Sequence, residues 1–486
     1  MKRAVRSLFF PLLLLSGCMV GPNYQRPETA MPAQFVETKE PSISSEDPLC
    51  DWWKRLNDPL LDSLIAEAVK SNYDIRLAVE RIAEARAQFR IARSQQAPEF
   101  DIQGIATRSR ISPNLFPVPS NSLPLFPVYL NFFDLEFDAL WELDFFGKFR
   151  RGKRAARYQW EATKEDAQAV LITSLSEVAR DYVAIRSLQQ QIQILQQKIA
   201  TDEEELALSQ ALFACGLASE LEVKRLLASL ESDRAMLPTL DSSLKQTIFA
   251  LALLLGKQPE SLIEQFTTIA PIPLCIDQVP IGLPSDLLRR RPDIRAAERQ
   301  LAAATEQIGV AVADLFPHIA LTGNSIAGAP IGGSSYGYQS YDIKTLLRGA
   351  SRFFSVGPAI RWDFIDFGKV RGNIAVQNSL QRQAVISYEQ TITNALKEVE
   401  SALAAYFDEG RRSFLLSEQV AADQRSLQLT SDLYQAGLKS ESDLLDARRT
   451  LLDAETSLIE SQGTATNNLI TLYKVLGGEW ECSYSP

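Results

Sequence analysis

The sequence predicts a mainly α-helical chain of two structural repeats, its long coiled-coil helices attached to strands suited to a membrane β-barrel. Three observations predict it: an internal duplication, helical stretches too long for a globule, and segments that alternate between apolar and acidic residues. The 486 residues are 46% hydrophobic and 23% charged, which excludes a disordered or collagen-like chain. With 50 Lys and Arg against 60 Asp and Glu, the net charge is −10, a poor balance for a nucleic-acid groove. His318 is the single histidine, so a His-rich metal site is excluded.

At the start of the chain, Lys2, Arg3 and Arg6 precede the apolar run Leu8 to Leu15 and then Ser16-Gly17-Cys18, the layout of a secretory signal. Leu15-Ser16-Gly17-Cys18 resembles a bacterial lipobox. That implies cleavage after residue 17 and a covalent lipid on Cys18, with no other cofactor, and Met19 in place of Asp implies sorting to the outer membrane. Past this signal no apolar run is long enough to cross a bilayer as a helix, so a spanning form has to be a barrel. Cys50, Cys215, Cys275 and Cys482 lack zinc spacing. Either one pair among Cys50, Cys275 and Cys482 is bridged, or all are free thiols.

The duplication sets the order of elements. Residues 72–104 align with 291–323, matching Asp74 with Asp293, Arg76 with Arg295, Pro98 with Pro317 and Gly104 with Gly323. Trp141, Phe146, Gly147, Lys148 and Arg150 then match Trp362, Phe367, Gly368, Lys369 and Arg371, at an offset two residues larger. The same offset pairs Leu212, Gly216 and Leu217 with Leu433, Gly437 and Leu438, and Leu255-Gly256 with Leu476-Gly477. In each half a helical stretch, 59–97 or 285–316, ends before Pro98 or Pro317. An alternating segment, a Pro/Ser/Gly-rich loop and a second alternating segment follow. A long helical stretch then starts near Gly147 or Gly368, breaks around Gly216 or Gly437 and resumes to Gly256 or Gly477.

Within it Leu175, Val178, Tyr182, Ile185, Leu188, Ile192, Leu195 and Ile199 advance by threes and fours, a coiled-coil seam. Unbroken, residues 147–214 make a helix about 100 Å long at ~1.5 Å per residue. That belongs to a bundle, stalk or tube.

In 130–143, Phe133, Leu135, Phe137, Ala139, Trp141 and Leu143 share one face of a strand. The other face carries Asn131, Asp134, Glu136, Asp138, Leu140 and Glu142. This suits a strand between lipid and water, and makes Asp134, Glu136, Asp138 and Glu142 candidates for a barrel lumen. In the repeat partner, Phe354, Val356, Pro358, Ile360 and Trp362 alternate with Ser355, Gly357, Arg361 and Asp363. A half-buried sheet of a soluble domain would look the same, and the export signal decides for the membrane. Four strands fall short of the roughly eight that close a barrel, so closure requires an oligomer.

The lipobox, the opening GPNYQRP (21–27), Asp51-Trp52-Trp53 with Asp58-Pro59-Leu60, LLRRRPDI (287–294) and the closing Leu476-Gly477-Gly478-Glu479-Trp480 resemble the TolC-like outer-membrane efflux proteins. Within them they resemble the lipoprotein branch that works with resistance-nodulation-division pumps. The resemblance spans nearly the whole mature chain. It implies a homotrimer in which each chain gives four strands to a twelve-stranded β-barrel and its helices form an α-barrel across the periplasm. It divides the chain into a signal peptide (1–17), a lipid-anchored N-terminal segment of an equatorial belt (18–57) and a first repeat (58–256). An inter-repeat link (257–284), a second repeat (285–476) and a C-terminal belt segment (477–486) complete it. The implied activity is passive export of drugs or other small toxic molecules, a multidrug-resistance role. An inner-membrane transporter would deliver them through a periplasmic adaptor, and no bond is made or broken.

The helical tips at Gly216 and Gly437 lie farthest from the strands along the chain and should form the periplasmic mouth. Asp443 and Asp446 fall on one helical face just beyond Gly437. Three copies would ring an aperture with carboxylates; the residues alone fit a solvated helix face equally well. The resemblance implies that Asp446 and Asp443 line the closed aperture, and that Tyr434, Lys439 and Glu222 hold the tips shut. Lys439 stands where the better-known member has an arginine, which weakens that lock. Arg225, the repeat partner of Asp446, would neutralise part of the ring. His318, the Arg289–Arg291 run, Trp52 and Trp53 read as structural. No phosphate loop, catalytic triad or metal cluster stands out. Two rivals remain: a type I protein-secretion duct, and a non-porous lipid-anchored coiled-coil spacer, which predicts no amphipathic strands.

Overall fold

Helix ends in this chain are set by local backbone chemistry, and the two halves use the same devices. A computed structural model describes residues 19–29, 31–36, 43–44, 52–110, 112, 129–274, 279–280, 284–322 and 334–477. Cys18, Cys50, Cys275 and Cys482 lie outside the described residues; Cys215 is an exposed free thiol. In chain order the elements are β1 (Ile43–Ser44), α1 (Pro59–Ser71), α2 (Tyr73–Ser94), β2 (Glu99–Arg110), β3 (Tyr129–Leu143), α3 (Lys148–Ala214) and α4 (Glu220–Leu254). There follow β4 (Val279–Pro280), α5 (Leu287–Arg290), α6 (Pro292–Ala313), β5 (His318–Thr322), β6 (Ser334–Ser340), β7 (Arg352–Ser355), β8 (Gly357–Arg361), α7 (Lys369–Gln435) and α8 (Glu441–Val475). The chain is mainly helical with a small β region. It forms two compact units, one of residues 1–27, 83–162 and 297–387, the other of 28–82, 163–296 and 388–486.

The turns between the long helices are matched. Gly216 and Gly437 sit at φ of 73° and 70°, where a Cβ would be strained. Around them Leu217 N–H donates to the Leu212 carbonyl at 2.8 Å and Leu438 N–H to the Leu433 carbonyl at 2.9 Å, the six-to-one bond of a Schellman stop. Ser219 and Ser440 then cap the returning helices.

The helical stretches expected over 59–97 and 285–316 are each broken once, at Asn72 and at Arg291. Asn72 has an extended ψ of 132°, and its side chain accepts from Asp74 N–H and Ile75 N–H, so it ends α1 and caps α2. Arg291 precedes Pro292, which forces it out of the helical region to ψ of 120°. Each break residue also reaches a distant helix end. Asn72 Nδ2 donates to the Leu254 carbonyl at 2.8 Å, and Arg291 Nη1 donates to the Val475 carbonyl at 2.9 Å. Those two carbonyls are repeat partners left open by the end of α4 and of α8. Arg291 also meets Asp293 and Glu398, each at 2.7 Å.

In the second unit, Asp58 caps α1 through bonds from Leu60 and Leu61 N–H and accepts from the Tyr182 hydroxyl. Leu61, Leu64, Ile65 and Ala68 are buried, as are Leu175, Val178, Tyr182 and Ile185 of the helical stripe. Trp52 stacks on Tyr473 with ring centroids 5.5 Å apart. Arg186 and Gln189, both buried, donate to the carbonyls of Thr268 and Phe266 and seat the chain that links the repeats.

The first unit holds the main sheet. β2 pairs antiparallel with β3 from Glu99 opposite Leu140 to Arg110 opposite Tyr129. On its other side β3 pairs with β5 and β6, which pair in turn with β8 and β7. The last second-repeat strand, expected as one piece, is split at Val356 into β7 and β8, and β5 and β6 lie on either side of residues outside the described set. The register nonetheless runs on: Leu321 lies opposite Trp141 and Ser334 opposite Ala139, with Leu140 alone between them. The sheet is four antiparallel lines of backbone.

Arg291→Met leaves Glu398 and the Val475 carbonyl without their buried cation. Because Asp293 and Glu398 are 39% and 49% exposed and water screens them, it should cost about 2–3 kcal/mol, against about 1–2 kcal/mol for Asn72→Ala. Thermal unfolding of the purified chain and its variants measures both. Equal losses would mean that the ion pairs of Arg291 add nothing.

Candidate functional site

Two constellations carry the candidate residues, the faces of the sheet and the helical tips. Across the sheet the register puts Ile102, Phe137, Tyr336 and Phe354 in one row on one face. They are exposed by 77%, 44%, 49% and 78%. An apolar row this open is unusual on a surface that meets only water. The opposite face carries Asp134, Glu136 and Asp138, with Asp134 only 8% exposed. Gln339 Nε2 donates to Asp134 Oδ2 at 3.3 Å. Glu142 differs from the other three: His318 Nδ1 lies 2.7 Å from its Oε1, a link between β5 and β3. Asp101, which the sequence reading passed over, faces Asp138 directly across the β2–β3 ladder. Like charges opposed in this way repel, so this face favours cations beside it.

The tips are built from N-caps. Ser440 Oγ accepts from Asp443 N–H, and Asp443 Oδ2 accepts from both the N–H and the hydroxyl of Ser440, a closed capping box. Lys439 Nζ lies 3.1 Å from the other oxygen, Asp443 Oδ1. The Ser440 bonds and then Lys439 hold the Asp443 carboxyl down to about 2. It therefore stays ionised until the pH falls through that value, and its support for the cap persists down to there. Its repeat partner Glu222 occupies the same position after Ser219. Asp446, Glu222, Arg225 and Tyr434 have exposed side chains, and among the described residues no side-chain hydrogen bond or ion pair joins them within the chain.

Further along the same helices lies a cluster that the sequence reading missed. Lys198 Nζ on α3 lies 2.8 Å from Asp453 on α8 and 3.3 Å from Asp233 on α4. Arg449 on α8 donates to Ser229 Oγ and approaches Asp202 at 3.9 Å. Arg448 meets Glu204 at 3.5 Å. Asp202 is 3% exposed, and neither of its carboxylate oxygens has a hydrogen-bond partner. Burial pushes its carboxyl up to about 6, and the neighbouring Asp233 adds to the rise against Arg449 and Lys198. Burial also raises Glu205, with Arg449 opposing and Asp446 and Glu222 adding. Arg449 is thus the cation that faces this carboxylate group. The signal was present in spacing: Asp446, Arg449 and Asp453 share a face of α8, as Asp202, Glu205 and Ser209 do of α3.

Residues 64–257 and 283–478 match the family model described as outer membrane efflux protein. The chain belongs to this family. Nodulation protein T of Rhizobium leguminosarum bv. trifolii is 31% identical over 98% of this chain and 96% of its own length. Solvent efflux pump outer membrane protein SrpC of Pseudomonas putida is 31% identical over 98% of each. The solved outer-membrane channel OprN superposes with a TM-score of 0.84 at 31% identity, covering 96% of this chain and 100% of that one. As an outer-membrane efflux protein the chain is a conduit, not an enzyme. Its candidate residues are to be read for charge, fit and hinge action.

The raised Asp202 carboxyl means that the folded chain binds more protons than the unfolded chain between about pH 4 and about 6. Stability accordingly falls as pH rises through that window. Asp202→Asn should flatten this slope and stabilise the chain at pH 7.5 by on the order of 2 kcal/mol. Thermal unfolding across pH 4–8 checks it; an unchanged slope would show that Asp202 is ionised and paired in solution.

Proposed function

We propose that the chain is the outer-membrane channel of a tripartite efflux pump, a homotrimer that passively exports drugs or other small toxic molecules. A periplasmic adaptor and an inner-membrane transporter of the resistance-nodulation-division type would deliver them. The observation that carries this reading is the four-line sheet, apolar and exposed on one face, acidic on the other, with its two outer strands unpaired on their far sides among the described residues. In hydrocarbon such edges need partners, and three copies supply twelve lines of strand, enough to close around water. Long helices of the same three chains would form the α-barrel below, with 18–57, 257–284 and 477–486 as its belt. A lipid on Cys18 anchors each chain to the outer membrane. The solvent-efflux relative supports a small-molecule cargo. A protein-secretion duct would use the same sheet, whereas a non-porous spacer has no use for an exposed apolar face.

The gate is the ring of helical tips. Asp443 is spent on its own cap and on Lys439, so it shapes the hairpin. Asp446 is exposed and takes no part in the cap, so it supplies the ring carboxylate, with Tyr434, Glu222 and Arg225 available to the neighbouring copy.

The deciding experiment is electron microscopy of the detergent-purified mature protein with conductance in planar bilayers. A threefold cylinder that conducts ions supports the channel, and a compact monomer or a silent rod overturns it. Asp446→Asn should raise the resting conductance several-fold and weaken cation preference. Asp443→Asn should chiefly loosen the hairpin, read as faster proteolysis near Gly437. The reverse pattern would exchange the two roles.

A further inference from the structure

Arg151, at the start of α3, is fully buried, and all five of its N–H donors are engaged. Nε donates to the Val20 carbonyl at 3.1 Å, and Nη1 to the Pro22 carbonyl at 2.7 Å and to Glu306 Oε2 at 3.0 Å. Nη2 donates to the Gly21 carbonyl at 2.9 Å and to Asn23 Oδ1 at 3.1 Å. Four of the five bonds thus go to residues 20–23, and the fifth goes to Glu306 of α6, itself 2% exposed. The seat is cut to the backbone. A Cβ on Gly21, at φ of 85°, would fall 2.6 Å from Gly309 Cα, and one on Gly309 would fall 2.6 Å from Arg151 Nε. Val20 N–H donates to the Phe146 carbonyl, and Met19 packs over Gly147. Phe146 and Gly147 lie between the end of β3 and the start of α3.

The duplication separates this seat from the general needs of a strand-to-helix junction. Arg151 has Gly372 as its repeat partner, Glu306 has Ala87 and Gly309 has Arg90. Gly372, Ala87 and Arg90 are exposed, and nothing lies within 4 Å of where a Cβ on Gly372 would be. The halves share their glycine stops and caps, yet they differ at each member of the clamp. Only one half has an N-terminal segment to hold.

We propose that Arg151 and Glu306 form a docking clamp that fixes residues 20–23, the segment that follows the lipid-bearing cysteine in sequence, at the junction of strand and helix. In the sequence, Cys18 stands two positions before this seat. The clamp ties anchor to barrel in both directions, since a released strap strips a buried guanidinium of four partners. The link to a lipid anchor rests on the lipidation of Cys18 proposed above; the clamp itself does not.

The test uses the full chain with its own signal, and the variants Arg151→Lys, which keeps the charge and loses the fork, and Gly309→Ala, which crowds Arg151 Nε. Three readouts are taken: the mass of the N-terminal peptide, chymotrypsin cleavage at Tyr24, and thermal unfolding of the remainder. Wild type should carry an acylated Cys18 and resist cleavage. At a temperature well below the unfolding midpoint of each variant, both should be cut at least tenfold faster, with acylation intact and fewer trimers recovered from the outer membrane. An unmodified Cys18 in wild type overturns the anchor reading and leaves the clamp to be judged on Tyr24. Protection of Tyr24 in both variants overturns the clamp. If neither variant folds, Asn23→Ala decides: it removes one strap bond and spares the buried pair, and faster cleavage supports the clamp while unchanged cleavage overturns it.

Discussion

A strand edge in hydrocarbon has no water to satisfy its N–H and C=O groups, and that requirement governs how this chain can exist. Its sheet pairs internally with care. β3 is bonded on both sides along nearly its whole length, and the ladder resumes in register across the interruption between β5 and β6. The outer sides of β2 and of the β7–β8 line remain open among the described residues. A soluble protein would protect such edges with bulges, inward charges or a covering helix. Here the face beside them is a row of aromatic and branched side chains, which would aggravate the problem in water and solves it in lipid. The same row then dictates the chemistry of the other face, because alternation leaves polar residues nowhere else to go.

The duplication lets one set of local instructions build both halves, while the chemistry that fills each position is free to differ. The carbonyls of Leu254 and Val475 pose the same problem at the end of a long helix. The first half answers with the amide of Asn72, the second with the guanidinium of Arg291. The amide caps its own next helix as well. The guanidinium instead recruits Asp293 and Glu398, so the second half carries a charged network where the first has neutral bonds. Glu222 and Asp443 show the same divergence at the tips: both stand third in a capped helix, and Asp443 alone closes the reciprocal box.

What was legible in the sequence was local. Glycines with positive φ, serines one turn ahead of an acidic residue and prolines at first helical positions each act within a few residues. The long helices and their turns follow from them, and the alternation of 130–143 gave β3 almost to the residue. What was hidden depended on distance. The break at Asn72 is completed by a carbonyl 182 positions away, so nothing near it distinguishes it from a mid-helix asparagine. The split of the last second-repeat strand is a matter of pairing, β7 with β6 and β8 with β5. Asp202 stands in the run Thr201-Asp202-Glu203-Glu204-Glu205, which reads as a solvated face; only α4 and α8 packing over it, with Lys198 and Arg449 between, make it buried. Arg151 was invisible for the same reason, since adjacent arginines at a helix start look like surface charge until the strap lies across one of them.

These distant contacts change what the tips can do. A carboxylate held by a closed cap and by Lys439 is already compensated, and it presents little field to a passing solute. That leaves Asp446, with Glu222 of the facing hairpin helix, as the uncommitted carboxylates among the candidate residues, rather than the Asp443–Asp446 pair suggested by spacing. One turn further along the same helix, Arg449 is engaged with Ser229 and Asp202. In the proposed trimer the barrier at the aperture would therefore rest on the Asp446 carboxylates, with Arg449 held back against Ser229 and Asp202.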